Sequence, residues 1–259
     1  MTMDRKQFLS VMTAELAVVS MKATPSLALP APGRVGRIRA IAFDGFVIFD
    51  PRSVVQHAEK VFPGRGLEFA NLWRTRQFEY TWLRTVGGQY EDFWRVTEDA
   101  LNYTANSLHL SLSPSQHEGL MNVYRELPVW PDVPEGLAEL RRRGIRMAFL
   151  SNLTEAMLDA NLGAAKLKSF FEDHLTTDRV REYKPSPRAY QMGPDAFGLM
   201  KEEIAFAAFG AWDAVGAKWF GYPTVWVNRG QVAPEELGAH PDVTTGDLSG
   251  LLEFVGGQK

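Results

Sequence analysis

The sequence predicts an α/β fold: a mostly parallel sheet with helices on both faces and an all-helical segment inserted into it. Three observations carry this. Short apolar runs of strand length alternate with helical stretches along most of the chain. Residues 53–125 lack such runs and place apolar side chains at three- and four-residue spacing instead. Polar residues able to do chemistry stand where the apolar runs end, which in a parallel sheet is where ligands bind.

Ile38-Arg39-Ala40-Ile41-Ala42-Phe43 has strand length and ends at Asp44-Gly45, so it reads as a buried strand with a carboxylate at its C-terminal end. Helical spacing follows through Val54, Val55, Ala58 and Val61, then Phe69, Leu72 and Trp73, then Phe93, Val96 and Leu101. After Trp130-Pro131-Asp132-Val133-Pro134, residues 135–143 make a helix stopped by Gly144, with Arg141-Arg142-Arg143 facing its C-terminal dipole. Residues 145–150 make the next strand, ending at Ser151-Asn152. Residues 174–177, 204–208 and 224–227 supply three more. The expected division is a core of residues 37–53 and 126–259, a helical cap of residues 54–125, and a leader with linker over residues 1–36.

That leader begins basic at Arg5-Lys6, turns apolar over residues 11–21 and becomes Pro-rich before Gly33, the order of an export signal. A periplasmic or otherwise exported protein is one expectation. A cytoplasmic one with a frayed amphipathic helix and linker is the other.

The 259 residues are 45% hydrophobic and 12% aromatic, ample for a core. A formal charge of -3 draws the chain to neither nucleic acid nor an acidic membrane. No run approaches the roughly 18 apolar residues of a membrane span. With no cysteine, disulfides, thiolate metal sites and a thiol nucleophile are excluded. The five histidines lack metal-ligand spacing, and neither a G-x-G-x-x-G nor a Walker-type phosphate loop is present.

The polar groups expected to converge at the strand ends are Asp44, Ser151 with Asn152, Lys184 and Asp213. A carboxylate held by a lysine and a hydroxyl is equipped as a nucleophile, because the cation keeps it ionised and the hydrogen bond fixes one oxygen. Its attack yields an ester that water must cleave.

The order Asp44, Ser151-Asn152, Lys184-Pro185 and Trp212-Asp213, with helices inserted after the first strand, resembles the haloacid dehalogenase superfamily. Residues 62–66 (Phe-Pro-Gly-Arg-Gly), Leu72-Trp73-Arg74, residues 79–84, residues 183–190 and Ala211-Trp212-Asp213-Ala214 are similar to its (S)-2-haloacid dehalogenases. The resemblance runs from about Arg39 to Val255. It implies a Rossmann-like parallel-sheet core with an inserted all-helical cap, a homodimer, and hydrolysis of short (S)-2-haloacids with inversion, without metal or organic cofactor. By the same resemblance Asp44 would displace the halide, Arg74 and Asn152 would receive it, and Phe78, Phe93 and Trp212 would wall the pocket. Ser151 and Lys184 would orient Asp44, Tyr190 would support them, and Asp213 would position or deprotonate the water. Backbone N–H groups just after Asp44, at Gly45 and Phe46, could hold the substrate carboxylate.

The motifs depart from the family in two places. Its first motif usually reads Asp-x-Tyr-Gly-Thr-Leu-Phe-Asp; here residues 44–50 are one residue shorter and lack the threonine and tyrosine hydroxyls. Where the fourth usually reads Ser-Ser-Asn-Ala-Trp-Asp, this chain has Ala208-Phe209-Gly210-Ala211-Trp212-Asp213. Phe46 and Phe209 also stand where the superfamily's phosphatases place acids that serve magnesium. Two alternatives to the dehalogenase reading therefore stay open: a non-catalytic member that binds a small carboxylate or halide, and a magnesium-dependent phosphatase that these two phenylalanines disfavour.

Overall fold

The run that ends at Asp44 forms the first strand, β1 (Ala40–Phe43), buried at every residue. The computed structural model describes residues 37–257; the expected leader and linker lie outside them. After β1 come β2 (Arg146–Ser151), β3 (His174–Thr176), β4 (Ile204–Ala208), β5 (Thr224–Val227) and β6 (Val243–Thr245). They form one six-stranded sheet in the order β3-β2-β1-β4-β5-β6, and each neighbouring pair is parallel. The sequence reading missed β6. Its Val243-Thr244-Thr245 is a half-exposed edge with no apolar run to announce it.

Register fixes where the chemistry emerges. Phe43 lies beside Phe149 of β2 and Ala207 of β4, so Asp44 leaves the sheet between the two strands where the chain's winding reverses. That is the crevice in which doubly wound sheets bind ligands. Side chains alternate across the sheet. Ile41 and Phe43 join one core with Phe149, Leu137, Leu158 and Leu251, whereas Ala40 and Ala42 join the other with Leu150, Tyr190, Phe206 and Ala217. Alanines suit the second face because Tyr190, Phe206 and Tyr222 fill it with rings whose centroids lie 5.5–6.2 Å apart.

Directly after β1 comes a single-turn helix, α1 (Gly45–Ile48). The stretch expected to be helical then divides into α2 (Arg52–Val61), α3 (Gly66–Val86), α4 (Phe93–Ser107) and α5 (Pro114–Asn122). The breaks fall at Pro63-Gly64, at Gly87-Gly88 and before Pro114, where Ser113 and Gln116 form a capping box. These helices form the cap and pack chiefly on one another. Inside, Trp73 Nε1 donates to the Thr97 carbonyl (2.8 Å) and Gln77 Nε2 to Thr97 Oγ1 (2.6 Å). The core helices α6 (Val133–Arg142), α7 (Glu155–Ala165), α8 (Pro187–Phe197), α9 (Ala211–Phe220) and α10 (Leu248–Gly256) complete the two faces.

A strap of the cap is tied to the loop after β3. The Tyr183 N–H donates to Thr85 Oγ1 (3.0 Å), its hydroxyl to the Glu91 carbonyl (2.6 Å), and the Tyr90 hydroxyl to Asp178 Oδ1 (2.5 Å). The Tyr90 and Tyr183 rings lie 4.9 Å apart. Burial pushes the Asp178 carboxyl up, so the phenol is a donor it depends on. Tyr90→Phe is expected to lower unfolding free energy by roughly 1–3 kcal/mol. Urea unfolding measures it, and coincident curves for variant and parent would remove this bond from the account.

Candidate active site

Asp44 is both strand end and helix cap. Its N–H donates to the Ala207 carbonyl (2.9 Å), which fixes the backbone against β4, and its Oδ1 accepts the Phe46 N–H (2.9 Å) as the cap of α1. Oδ2 is left for Lys184 Nζ, 2.7 Å away. Gly45 packs closely beside it: a Cβ there would lie 2.7 Å from Leu153 Cδ1 and 3.1 Å from Ser151 Oγ, so those side chains would have to shift.

The loop after β3 delivers Lys184, whose side chain is fully buried. Its backbone N–H donates to Asn152 Oδ1 (3.2 Å), which aims the residue inward. The ammonium sits between Asp44 Oδ2 and Asp213 Oδ2, at 2.7 and 2.6 Å. Burial alone would push this lysine down, but the two carboxylates more than offset it, so the group is held above its ordinary value and stays charged.

Asp213, in the first turn of α9, is 1% exposed. Its Oδ1 accepts the Tyr190 hydroxyl at 2.6 Å while Oδ2 takes the lysine. Burial pushes Asp213 up to about 6, with Asp44 adding like-charge repulsion and Lys184 opposing both. The Tyr190 phenol is pushed well above its ordinary range, first by burial and then by Asp213, and remains a donor. Gly216, one turn beyond Asp213, makes room for it: a Cβ at that position would stand 2.5 Å from the Tyr190 hydroxyl.

The other expected residues are distributed less simply. Ser151 ends β2, but its Oγ accepts the Leu153 N–H (3.1 Å) and forms no hydrogen bond with Asp44 among the described residues. Tyr190 reaches Asp213 and not Lys184 or Asp44. Asn152 is 6% exposed and its Nδ2 is buried without a partner, a donor left over in the crevice. Arg74 is exposed on α3, whose buried face is Phe69, Ala70, Trp73, Gln77 and Thr81; its charge is felt by the buried Tyr124 phenol. No hydrogen bond among the described residues brings it to Asp44.

Phe78, Phe93 and Trp212 do come together. Phe78 lies 5.4 Å from the Trp212 ring and 6.5 Å from Phe93, and Phe93 lies 6.2 Å from Tyr183, the neighbour of Lys184. Trp82, one helical turn after Phe78, joins them at 5.6 Å from Trp212. The sequence reading passed over it, although its four-residue spacing from Phe78 was the available signal. Gly210 stands where the family's asparagine would be, and a Cβ on it would meet Trp212 Nε1 at 2.8 Å, so the indole covers that backbone.

Among the described residues the phosphatase acids have no counterpart. The Phe46 and Phe209 rings pack 5.9 Å apart, and the ammonium of Lys184 bridges the Asp44 and Asp213 carboxylates that a divalent ion would otherwise share. This donor set does not suit magnesium, which demands several oxygen ligands in octahedral array. Among the described residues no cluster of three or more His, Asp or Glu forms a metal site.

Residues 38–221 match the sequence profile of haloacid dehalogenase-like hydrolases. The chain is 42% identical over 218 residues to the (S)-2-haloacid dehalogenase of Pseudomonas sp. strain YL, covering 84% of this chain and 94% of that one. It is 39% identical to haloacetate dehalogenase H-2 of Moraxella sp. strain B, with 85% and 98% covered. The crystallised L-2-haloacid dehalogenase of Xanthobacter autotrophicus with chloropropionic acid covalently bound superposes with a TM-score of 0.78 at 32% identity, covering 86% of this chain and 100% of that one. The order of strands, the helical cap and these matches together place the chain in the haloacid dehalogenase-like hydrolase family.

Proposed function

We propose that the protein hydrolyses the carbon–halogen bond of short (S)-2-haloalkanoic acids through an ester on Asp44, with inversion at the alpha carbon. The observation that carries this is the buried Lys184 ammonium between Asp44 and Asp213. It pairs with Asp44 and aims it in a crevice that also offers an unpartnered donor, Asn152 Nδ2. The relatives named dehalogenases support the reading.

In the first step an Asp44 oxygen attacks the alpha carbon and the carbon–halogen electron pair leaves with the halide. Negative charge moves from carboxylate to halide, so the donors that matter face the departing ion. Asn152 Nδ2 is the buried candidate, and Arg74 contributes from the cap once its long side chain turns inward. The rings of Phe78, Phe93 and Trp212 exclude water, which strengthens each of these interactions. The Gly45 N–H holds the substrate carboxylate; the expected Phe46 N–H does not, because it is already given to Asp44 Oδ1.

In the second step water adds to the ester carbonyl of Asp44, and the acyl–oxygen bond breaks to release the 2-hydroxyacid and regenerate the carboxylate. Asp213 takes up the water's proton. Its raised affinity for protons suits that work near neutrality, and Lys184 and Tyr190 restrain it in place.

Two outcomes are expected. Chloride should be released from (S)-2-chloropropionate and not from the (R) isomer, in the presence of chelator, and Asp44→Asn should reduce release by at least about a thousandfold. Ion chromatography decides it; equal rates from both isomers, or an active Asp44→Asn protein, would sink the mechanism.

The rate of ester hydrolysis should fall as pH drops through about 6, where Asp213 takes up its proton. Stability should respond in the opposite sense. A carboxyl raised above its unfolded value of 3.8 contributes fully below that value, and the contribution is lost as pH rises through about 6. Single-turnover rates and urea midpoints across pH 4–8 read both, and an Asp213→Asn protein that kept the same acid limb would assign it elsewhere.

A further inference from the structure

The turn that carries Asp44 is held from its far side by a buried arginine. α1 has four residues, so most of its carbonyls pass its end without an intrahelical donor. The Gly45 carbonyl is met by the Phe49 N–H (3.0 Å). Phe46 O accepts from Trp130 Nε1 (3.0 Å), Ile48 O from the Trp130 N–H (3.2 Å), and Val47 O from Arg229 Nη2 (3.0 Å).

Arg229 follows β5, and its side chain is 4% exposed. It forks onto Asp132 at 2.7 and 3.0 Å, and its guanidinium carbon lies 4.6 Å from the centre of the Trp130 ring. Asp132 also accepts the Leu248 N–H at the start of α10 (2.9 Å). Arg229 Nε is buried without a partner. A cation has thus been taken almost out of water, with one donor left unpaired, and the place it reaches is a carbonyl three residues after the nucleophile. Burial of that kind is costly and is weak evidence for a purely stabilising role. The first motif here is also one residue short and lacks the hydroxyl that usually steadies the loop, so its geometry rests on carbonyl-side contacts.

We propose that Arg229 is a positioning residue for Asp44. By fixing Val47 O it holds α1 in the turn that presents the Phe46 N–H to Asp44 Oδ1, and so sets the direction in which the carboxylate attacks. The kinetic part of this inference rests on the dehalogenase reading above.

The test compares full-length parent protein with Arg229→Met, Arg229→Lys and Asp132→Asn by steady-state chloride release and by amide hydrogen exchange. Lysine keeps a charge near Asp132 but not the fork that also spans to Val47 O; Asp132→Asn weakens the ion pair and leaves that bond. Arg229→Met and Arg229→Lys should lower kcat roughly 10- to 100-fold with KM within about threefold, the scale of a small misplacement of a reacting group. Asp132→Asn should change kcat by less than about threefold. Amides of residues 45–50 should exchange at least about tenfold faster in both Arg229 variants while those of β2 and β4 keep the parent rate.

Parent-like kcat in Arg229→Lys, or exchange that rises equally across the sheet, would overturn the proposal and leave Arg229 a general stabiliser. Should Arg229→Met fail to fold, Arg229→Lys decides by the same two readings. Should the parent release no halide, the dehalogenase reading falls, and the exchange data alone decide whether Arg229 orders the turn.

Discussion

A lysine ammonium without access to water lies between two carboxylates, and the rest of the core is arranged so that this can be tolerated. Lys184 reaches Asp44 and Asp213 at 2.7 and 2.6 Å with its side chain fully buried. Removing one partner would strand a charge in the interior, whereas the complete set satisfies itself. The set carries one more negative than positive charge, and burial answers that excess by raising the proton affinity of Asp213. The same imbalance that strains the buried group prepares it to take a proton near neutral pH.

Holding these groups together needs close approach, and small residues provide it. Gly45 lets the turn after Asp44 lie against Leu153, and Gly216 lets Tyr190 reach Asp213. Alanines at Ala40, Ala42 and Ala208 leave the face beneath the site to Tyr190, Phe206 and Tyr222. The bulk withheld at these positions is returned as aromatic rings around the crevice. Phe78, Trp82, Phe93 and Trp212 meet above it, Phe46 packs on Phe209 beside it, and Tyr183 with Tyr90 ties the cap to the loop that carries the lysine. Cap position and lysine position are therefore mechanically connected through adjacent residues.

The hydroxyls and amide missing from the first and fourth motifs are replaced by contacts of another kind. Phe209 donates no hydrogen bond from its side chain, but its carbonyl accepts from Trp226 Nε1 at 3.0 Å. Gly210 gives its space to the Trp212 indole. α1 is held by Trp130 and Arg229 through its carbonyls. The backbone after Asp44 is held through its carbonyls where the family more often uses side chains, and Phe46 with Phe209 makes the surroundings of Asp44 more apolar.

The sequence by itself determined the α/β class, five of the six strands, the helical cap, and Asp44, Lys184 and Asp213 as members of one site. Each is written locally: apolar runs have strand length, helical spacing repeats every three to four residues, and polar residues punctuate strand ends. β6 escaped because an exposed edge strand needs no apolar run. Only the tertiary structure decided which atoms meet: that Ser151 Oγ serves Leu153, that Tyr190 serves Asp213, that Asn152 Nδ2 is left over, and that Arg229 reaches Val47. Tyr190 with Asp213 and Arg229 with Val47 join segments far apart in the chain. Hydrogen-bond choice among them depends on distances of a few tenths of an ångström set by packing, and no pattern along one segment encodes that.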